Sequence, residues 1–175
     1  MMDNPIPTIK TSRLTLRPFH MDDVTALHLI LNEPSILKYF PTTSPPSIEK
    51  VEKTIDHQLT HWQTYGLGWW ALTLLEKDEL IGWCGLYFIA ETNETEVGYL
   101  LSKAHWGKGY ATESAKASLD FGFQVLNKKE IIGLTHPENH ASQHVLLKCG
   151  LTFTRKAEYF GMDMFRYSMF QESNP

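Results

Sequence analysis

The stretch from Gly68 to His136 constrains the fold more than any other part of the chain. Three runs with strand character, GWWALTLL, ELIGWCGLYFI and ETEVGYLL, follow one another with only short polar turns between them, as antiparallel hairpins do. The segment HWGKGYATES comes next, and beyond it Ala111, Ala115, Leu119, Phe123 and Leu126 recur at helical spacing. Residues Glu130 to His136 form an apolar, branched run that predicts a buried strand. A strand, a helix and a second strand between Glu94 and Thr135 require a parallel crossover. One sheet must therefore hold antiparallel hairpins and a parallel pair together.

The flanking segments complete that sheet. RLTLRPF, Arg13 to Phe19, alternates like a half-buried strand after a loose start. MDDVTALHLILNEP predicts a helix with acidic residues in its first turn and Pro34 past its end. Pro45 and Pro46 open a second helix, on which Ile48, Val51, Ile55, Leu59 and Trp62 form an apolar stripe. After the Glu130 strand, ASQHVLLKC predicts a short helix ending at a left-handed Gly150. Strands over Leu151 to Ala157 and Met162 to Met169 close the chain. The expectation is a single α/β (α+β) domain over residues 1–175, with a mixed, mostly antiparallel central sheet and helices on both faces.

Bulk properties narrow the function. A net charge of −4 argues against nucleic-acid or anionic-membrane partners, because phosphate surfaces reward basic faces. It suits a cationic partner such as an amine. Cys84 and Cys149 are far apart in sequence, lack metal-ligand spacing and read as reduced core thiols, which sets a cytoplasmic expectation. The start, MMDNPIPTIK, lacks a signal-peptide pattern, and no apolar run is long enough to span a bilayer. The pairs His57/His61 and His140/His144 sit at i, i+4, but HQLTH lacks the glutamate of HExxH. Solvated helix faces and no metal are expected.

HWGKGYATES is the segment with chemistry. A Walker loop fails, because Ser102 stands where its first glycine belongs and Gly109 stands where Ser/Thr is required. A dinucleotide fingerprint fails at Thr112. What remains is a strand, a loop with Gly107 and Gly109, and a helix start. That arrangement offers free amides and a favourable dipole to an anion such as a pyrophosphate.

The order of elements, with WGKGYATE after TEVGYLL and ENHASQHVLLKCGLTF further on, resembles the Gcn5-related N-acetyltransferase (GNAT) superfamily. Within it the chain is similar to the RimJ/RimL branch, which acetylates N-terminal amines of ribosomal proteins, from TSRLTLRPF to MFRYSMF. The superfamily's pyrophosphate signature, Arg/Gln-x-x-Gly-x-Gly/Ala, falls on Trp106, Gly109 and Ala111. Trp106 departs from it but matches the branch's WG-x-GYA-x-E. The resemblance implies acetyl-CoA, with its pyrophosphate on Trp106, Gly107, Lys108, Gly109, Tyr110, Ala111 and Thr112. Its pantetheine arm would lie along Tyr99, Leu100 and Leu101.

The same resemblance makes Glu96, in the branch's E-x-GY position, the candidate base; the residue pattern alone also allows an outward-facing strand glutamate. The superfamily's tyrosine seven residues after its asparagine is absent, since that position is Leu146. Asn139 and Ser142 match the branch's N-x-x-S, which places Ser142 on the CoA sulfur, but Asn139 could equally cap a helix with Ser142 in its first turn. Tyr39, Phe40, Tyr159 and Phe160 fall in segments that border the family's acceptor groove. At pH 7 an α-amine is about 10% neutral and a lysine about 0.04%, a difference of roughly 3 kcal/mol, so a modest base serves the former. The expected acceptor is a protein N-terminal α-amine attacking directly. A small-molecule amine (polyamine, amino acid or aminoglycoside) and a non-catalytic acyl-CoA-binding module are the alternatives, in a monomer or homodimer.

Overall fold

In the computed structural model, which describes residues 5–171, the strands are β1 (Ile9–Lys10), β2 (Leu14–Arg17), β3 (Trp69–Leu74), β4 (Leu80–Ile89), β5 (Glu94–Leu101), β6 (Glu130–Thr135), β7 (Thr152–Tyr159) and β8 (Met162–Phe170). They form one sheet in the order β1-β2-β3-β4-β5-β6-β8-β7. Every neighbouring pair is antiparallel except β5 and β6, which run parallel. The helices are α1 (Val24–Leu31), α2 (Ile48–Tyr65), α3 (Tyr110–Asp120) and α4 (His140–Lys148). The mixed sheet and its parallel crossover are as the sequence predicts. No helix among the described residues is long and apolar enough to cross a membrane.

Period-two alternation in the central strands divides the core between the two faces. Ala71, Trp83 and Leu100 turn to the face covered by α1 and α2, where they meet Val24, Leu27, Ile30, Val51 and Ile55. Leu72, Cys84 and Leu101 turn to the other, with Ala115 and Leu119 of α3 and Leu146 of α4. Both cysteines are free and buried.

Several element ends differ from the sequence expectation for identifiable reasons. The first helix begins as a 3-10 turn over Met21–Asp23. Asp23 is held there by the Arg17 guanidinium through two hydrogen bonds of 2.8 Å and by the His20 amide at 2.8 Å. α2 is N-capped by Ser47, whose hydroxyl accepts the Lys50 amide, and runs three residues past Trp62 to Tyr65, ahead of a left-handed Gly66. The helix predicted to Leu126 is α-helical only to Asp120 and continues as a π segment, Phe121–Val125. Gly122 lies in that segment, where an added Cβ would be 2.4 Å from Ile131 of β6. The widened turn lets the chain press against the sheet while Phe121 and Phe123 stay buried.

β5 and β6 are what open the sheet. Their one paired position is Glu96↔Ile132. Beyond it Gly98 to Leu101 bond only to β4, and β6 goes its own way to β8. The two strands part at their carboxyl ends, where an open α/β sheet offers a ligand crevice.

Candidate active site

A cavity of about 1300 Å³ fills that parting. It exceeds the roughly 300–1,000 Å³ of a site built for one small molecule. One wall is β5 from Glu96 to Leu101, and the facing wall is Leu134, Thr135 and His136 with the start of α4. One end is closed by Trp106, Gly107 and Gly109 to Thr112, and the other by α2 and the chain around Tyr39.

At the glycine end, Gly107 and Gly109 both take left-handed conformations, φ +71° and +82°. Gly109 is the N-cap of α3, and the first helical amide to close on a carbonyl is that of Glu113, to Gly109 at 3.0 Å. The amides of Tyr110, Ala111 and Thr112 are therefore free to bind an anion at the helix end. Trp106 donates its indole N–H to the Leu101 carbonyl at 2.8 Å, tying loop to strand. Lys108 lies outside the cavity wall, and its contribution here is its carbonyl, which accepts from Arg13 at 2.9 Å.

That arginine belongs to a clamp that the sequence did not reveal. Glu113 accepts the Thr11 hydroxyl at 2.6 Å, the Ser12 hydroxyl at 3.1 Å, the Arg13 amide at 2.9 Å and the Arg13 Nε at 2.7 Å. The guanidinium also lies 4.7 Å from the centre of the Tyr110 ring. The β1–β2 turn thus fixes the loop from behind, across 100 residues of sequence.

Where the strands part, Glu96 is half-buried in the cavity wall. Burial pushes its pKa up to about 8; a hydrogen bond from the Leu134 backbone works against this, and the Glu94 charge adds to it. Its cross-strand neighbour is Tyr87, whose hydroxyl lies 3.3 Å from His57 Nε2. Under the same wall, Trp69 and Trp83 stack at 3.7 Å, and Gly98 leaves room for them, since a Cβ there would come within 3.4 Å of Trp83.

Tyr99 and Ser142 meet across the crevice. The Tyr99 hydroxyl is 3.0 Å from Ser142 Oγ and 3.1 Å from the Ser142 carbonyl. Burial raises the phenol's pKa far above its ordinary value, so it remains a donor. Asn139 lines the same cavity and caps α4, its side chain accepting the Ser142 amide at 3.1 Å.

Of the four expected acceptor residues the structure brings three into the cavity. Tyr39 stacks on His136 at 5.2 Å, and Phe40 and Phe160 line the wall. Tyr159 lies elsewhere: it is 5% exposed, and its hydroxyl donates to Glu94 at 2.8 Å inside a network with Arg166. His61 departs from the solvated face expected for it. It is buried against Tyr87 at 4.2 Å and accepts the Phe88 amide, and burial lowers its pKa to about 4.

Residues 13–152 match the acetyltransferase (GNAT) domain family. An N-acetyltransferase of Bacillus licheniformis, p20, is 33% identical over 141 residues, 79% of each chain. The crystal structure of an acetyltransferase from Agrobacterium tumefaciens superposes with a TM-score of 0.85 at 30% identity, covering 98% of both chains. RimL, the ribosomal L7/L12 alpha-N-protein acetyltransferase solved with coenzyme A, shares the fold at TM-score 0.81 and 18% identity, covering 94% of this chain and 98% of its own. With the splayed strands and glycine-rich helix start already in place, these likenesses settle the family: the chain belongs to the GNAT acetyltransferases and is an acetyl-CoA-dependent N-acyltransferase.

Proposed function

We propose that the chain acetylates a protein N-terminal α-amine, with acetyl-CoA and the acceptor meeting in the cavity between β5 and β6. The observation that carries this reading is the place of Glu96, in the cavity wall where β5 and β6 part, with burial raising its pKa to about 8. A base works best when its pKa lies near the working pH and near that of the group it deprotonates. Free α-amines titrate at about 7.7–8.0 and lysine-type amines at about 10.4, so the match is to the former.

The free amides of Tyr110, Ala111 and Thr112, with Gly107 and Gly109 keeping the approach clear, hold the pyrophosphate. The side of β5 left unpaired between Gly98 and Leu101 receives the amide-bearing arm as an added strand would be received. The amine nitrogen bonds to the acetyl carbon, the C–S bond breaks with its electron pair to sulfur, and Glu96 takes the proton from nitrogen. The Tyr99 hydroxyl donates to the Ser142 carbonyl and stands 3.0 Å from Ser142 Oγ, so a pair of hydroxyls at the crevice is available to donate to the sulfur as negative charge develops.

RimL supports an α-amine acceptor by its fold. The spermidine N(1)-acetyltransferase of Escherichia coli, 26% identical over 141 residues, represents the polyamine alternative. Incubation with acetyl-CoA and a panel of peptides, spermidine, amino acids and aminoglycosides, read by mass, tests the proposal. The expected product is a peptide heavier by one acetyl group on its α-nitrogen. Acetylation confined to small amines would overturn the reading.

The clamp behind the loop gives a second expected result. Glu113→Ala removes the acceptor of four donors and frees the glycine loop from the β1–β2 turn. Charge-assisted hydrogen bonds of this kind contribute about 1.5–3 kcal/mol each when intact, part of which is screened at the exposed arginine. The KM for acetyl-CoA is expected to rise about three- to tenfold, with kcat and the acceptor KM within about twofold. A uniform fall in kcat with unchanged acetyl-CoA KM would assign the clamp to some other task.

A further inference from the structure

The charges on the acceptor end of the cavity are sorted by sign. On α2 the cavity-lining residues are Lys50, Lys53, Thr54, His57 and Gln58, the i, i+3, i+4, i+7, i+8 face of the helix. The acids of the same helix, Glu49, Glu52 and Asp56, lie off that wall. Glu49 stands one turn before Lys53, and hydrogen bonding to its own amide, with the Lys53 charge a lesser contribution, holds its carboxyl below the usual range. Lys38 adds a third ammonium from the chain around Tyr39, its Nζ 3.2 Å from the Tyr39 hydroxyl.

Among the described residues no carboxylate pairs with Lys38, Lys50 or Lys53 within 4.0 Å. Among the described residues the only acids on the cavity wall are Glu96, at the strand parting, and Glu138, beside the start of α4. A chain with a net charge of −4 has therefore turned three unpaired lysines toward the space where a substrate that is itself a cation must enter.

Distance gives this arrangement a meaning. His57 reaches the Tyr87 hydroxyl at 3.3 Å, and Tyr87 is the cross-strand partner of Glu96. At about 1.5 Å per residue, Lys53 and Lys50 lie about 6 and 10 Å further along the helix from His57. Lys50 and Lys53 are thus about 4 Å apart along the helix, close to the about 3.3 Å that an extended peptide advances per residue, so neighbouring residues of one extended N-terminal segment can face the two lysines.

On the same reading of the acceptor, we propose that the preferred substrate is a protein N-terminus carrying aspartate or glutamate close behind its first residue, recognised by Lys50 and Lys53 together with Lys38. Polyamines are selected against at the same place, because their second ammonium meets the lysines.

Two peptides with the same N-terminal serine test this, one with Asp-Glu and one with Lys-Lys at positions two and three, alongside spermidine. At low salt kcat/KM is expected to favour the acidic peptide by about five- to tenfold, the range for a pair of partly solvated charge contacts. The preference should shrink in 1 M salt, where the screening length is about 3 Å. Lys50→Glu/Lys53→Glu should abolish or reverse it while leaving the acetyl-CoA KM in place; both side chains are exposed, so the double variant keeps its core. Equal rates for the two peptides, faster turnover of the lysine peptide, or a preference that survives the double reversal would overturn the charge selection and leave the α-amine reading standing. Turnover of spermidine with neither peptide acetylated would overturn both.

Discussion

Glu96→Gln is expected to lower kcat/KM for acetyl transfer by about 10²–10⁴-fold above pH 8, with acetyl-CoA affinity unchanged. Glutamine keeps the size and the hydrogen bond from Leu134 but cannot take a proton. The pH dependence identifies the cause. Burial, opposed by the Leu134 hydrogen bond and reinforced by Glu94, places the free protein's Glu96 at about 8. Below that pH the wild-type carboxyl is mostly protonated, and its active fraction grows about tenfold per pH unit as pH rises. The acceptor amine titrates identically in both proteins, so the ratio of wild-type to variant kcat/KM isolates Glu96. That ratio should climb from pH 6 to 8 and flatten above. A ratio near one across pH 6–9 would remove Glu96 from the chemistry.

How much of this was legible in the sequence depends on the range of the contacts involved. The three central strands and the helix after the glycines were readable because each carries its own period, and the short turns and long crossover dictate which neighbours are antiparallel and which are parallel. The two-residue β1 has no period to read. The π segment arises from a close approach between Gly122 and Ile131, a tertiary event invisible to helical spacing. The first helix starts with a 3-10 turn because Asp23 is held by Arg17, a side chain from the preceding strand.

The site divides in the same way. Glu96, the Tyr99 to Leu101 strand and the Gly107 to Thr112 loop, Lys108 excepted, are close in sequence and line one cavity. Tyr39 reaches that cavity through its stack on His136, which a sequence pattern does not display. Tyr159 and Phe160 are adjacent residues with opposite fates, because β7 ends at Tyr159 and Phe160 stands in the left-handed turn to β8, φ +54°, a boundary that the sequence pattern did not fix. Tyr87 required a strand register, since it meets Glu96 only through the β4–β5 pairing. The lysines of α2 left the better clue. The predicted apolar stripe already implied which residues stood on the remaining faces, and the separation of Lys50 and Lys53 from Glu49, Glu52 and Asp56 was there to be read. What was missing was the knowledge that one of those faces looks into a cavity. The Arg13–Glu113 clamp left half a clue: Glu113 is the final glutamate of WG-x-GYA-x-E, but nothing in the sequence pairs it with the β1–β2 turn.

Gly109→Val is expected to abolish measurable acetyl-CoA binding, a loss of at least about 10²-fold in affinity, in a protein that remains folded. Two independent effects act at this residue. The backbone conformation, φ +82°, is one that a β-branched side chain adopts only under strain of about 1–3 kcal/mol. A side chain here also stands at the entrance to the Tyr110, Ala111 and Thr112 amides, and a Cβ already lies 3.3 Å from the Arg13 guanidinium that braces the loop. If the loop relaxes to relieve the strain, α3 loses the cap that aims its free amides; if it does not relax, the isopropyl group occupies the space a phosphate oxygen needs. Both routes end in the same loss. Gly107→Val separates the contributions, since nothing lies within 4 Å of a Cβ at Gly107 and only its φ of +71° resists substitution. Gly107→Val should therefore weaken binding less than Gly109→Val. Calorimetric titration with acetyl-CoA, with circular dichroism as the folding control, measures both. Wild-type affinity in a folded Gly109→Val protein would move the pyrophosphate away from this helix start, and with it the direction in which the thioester enters between β5 and β6.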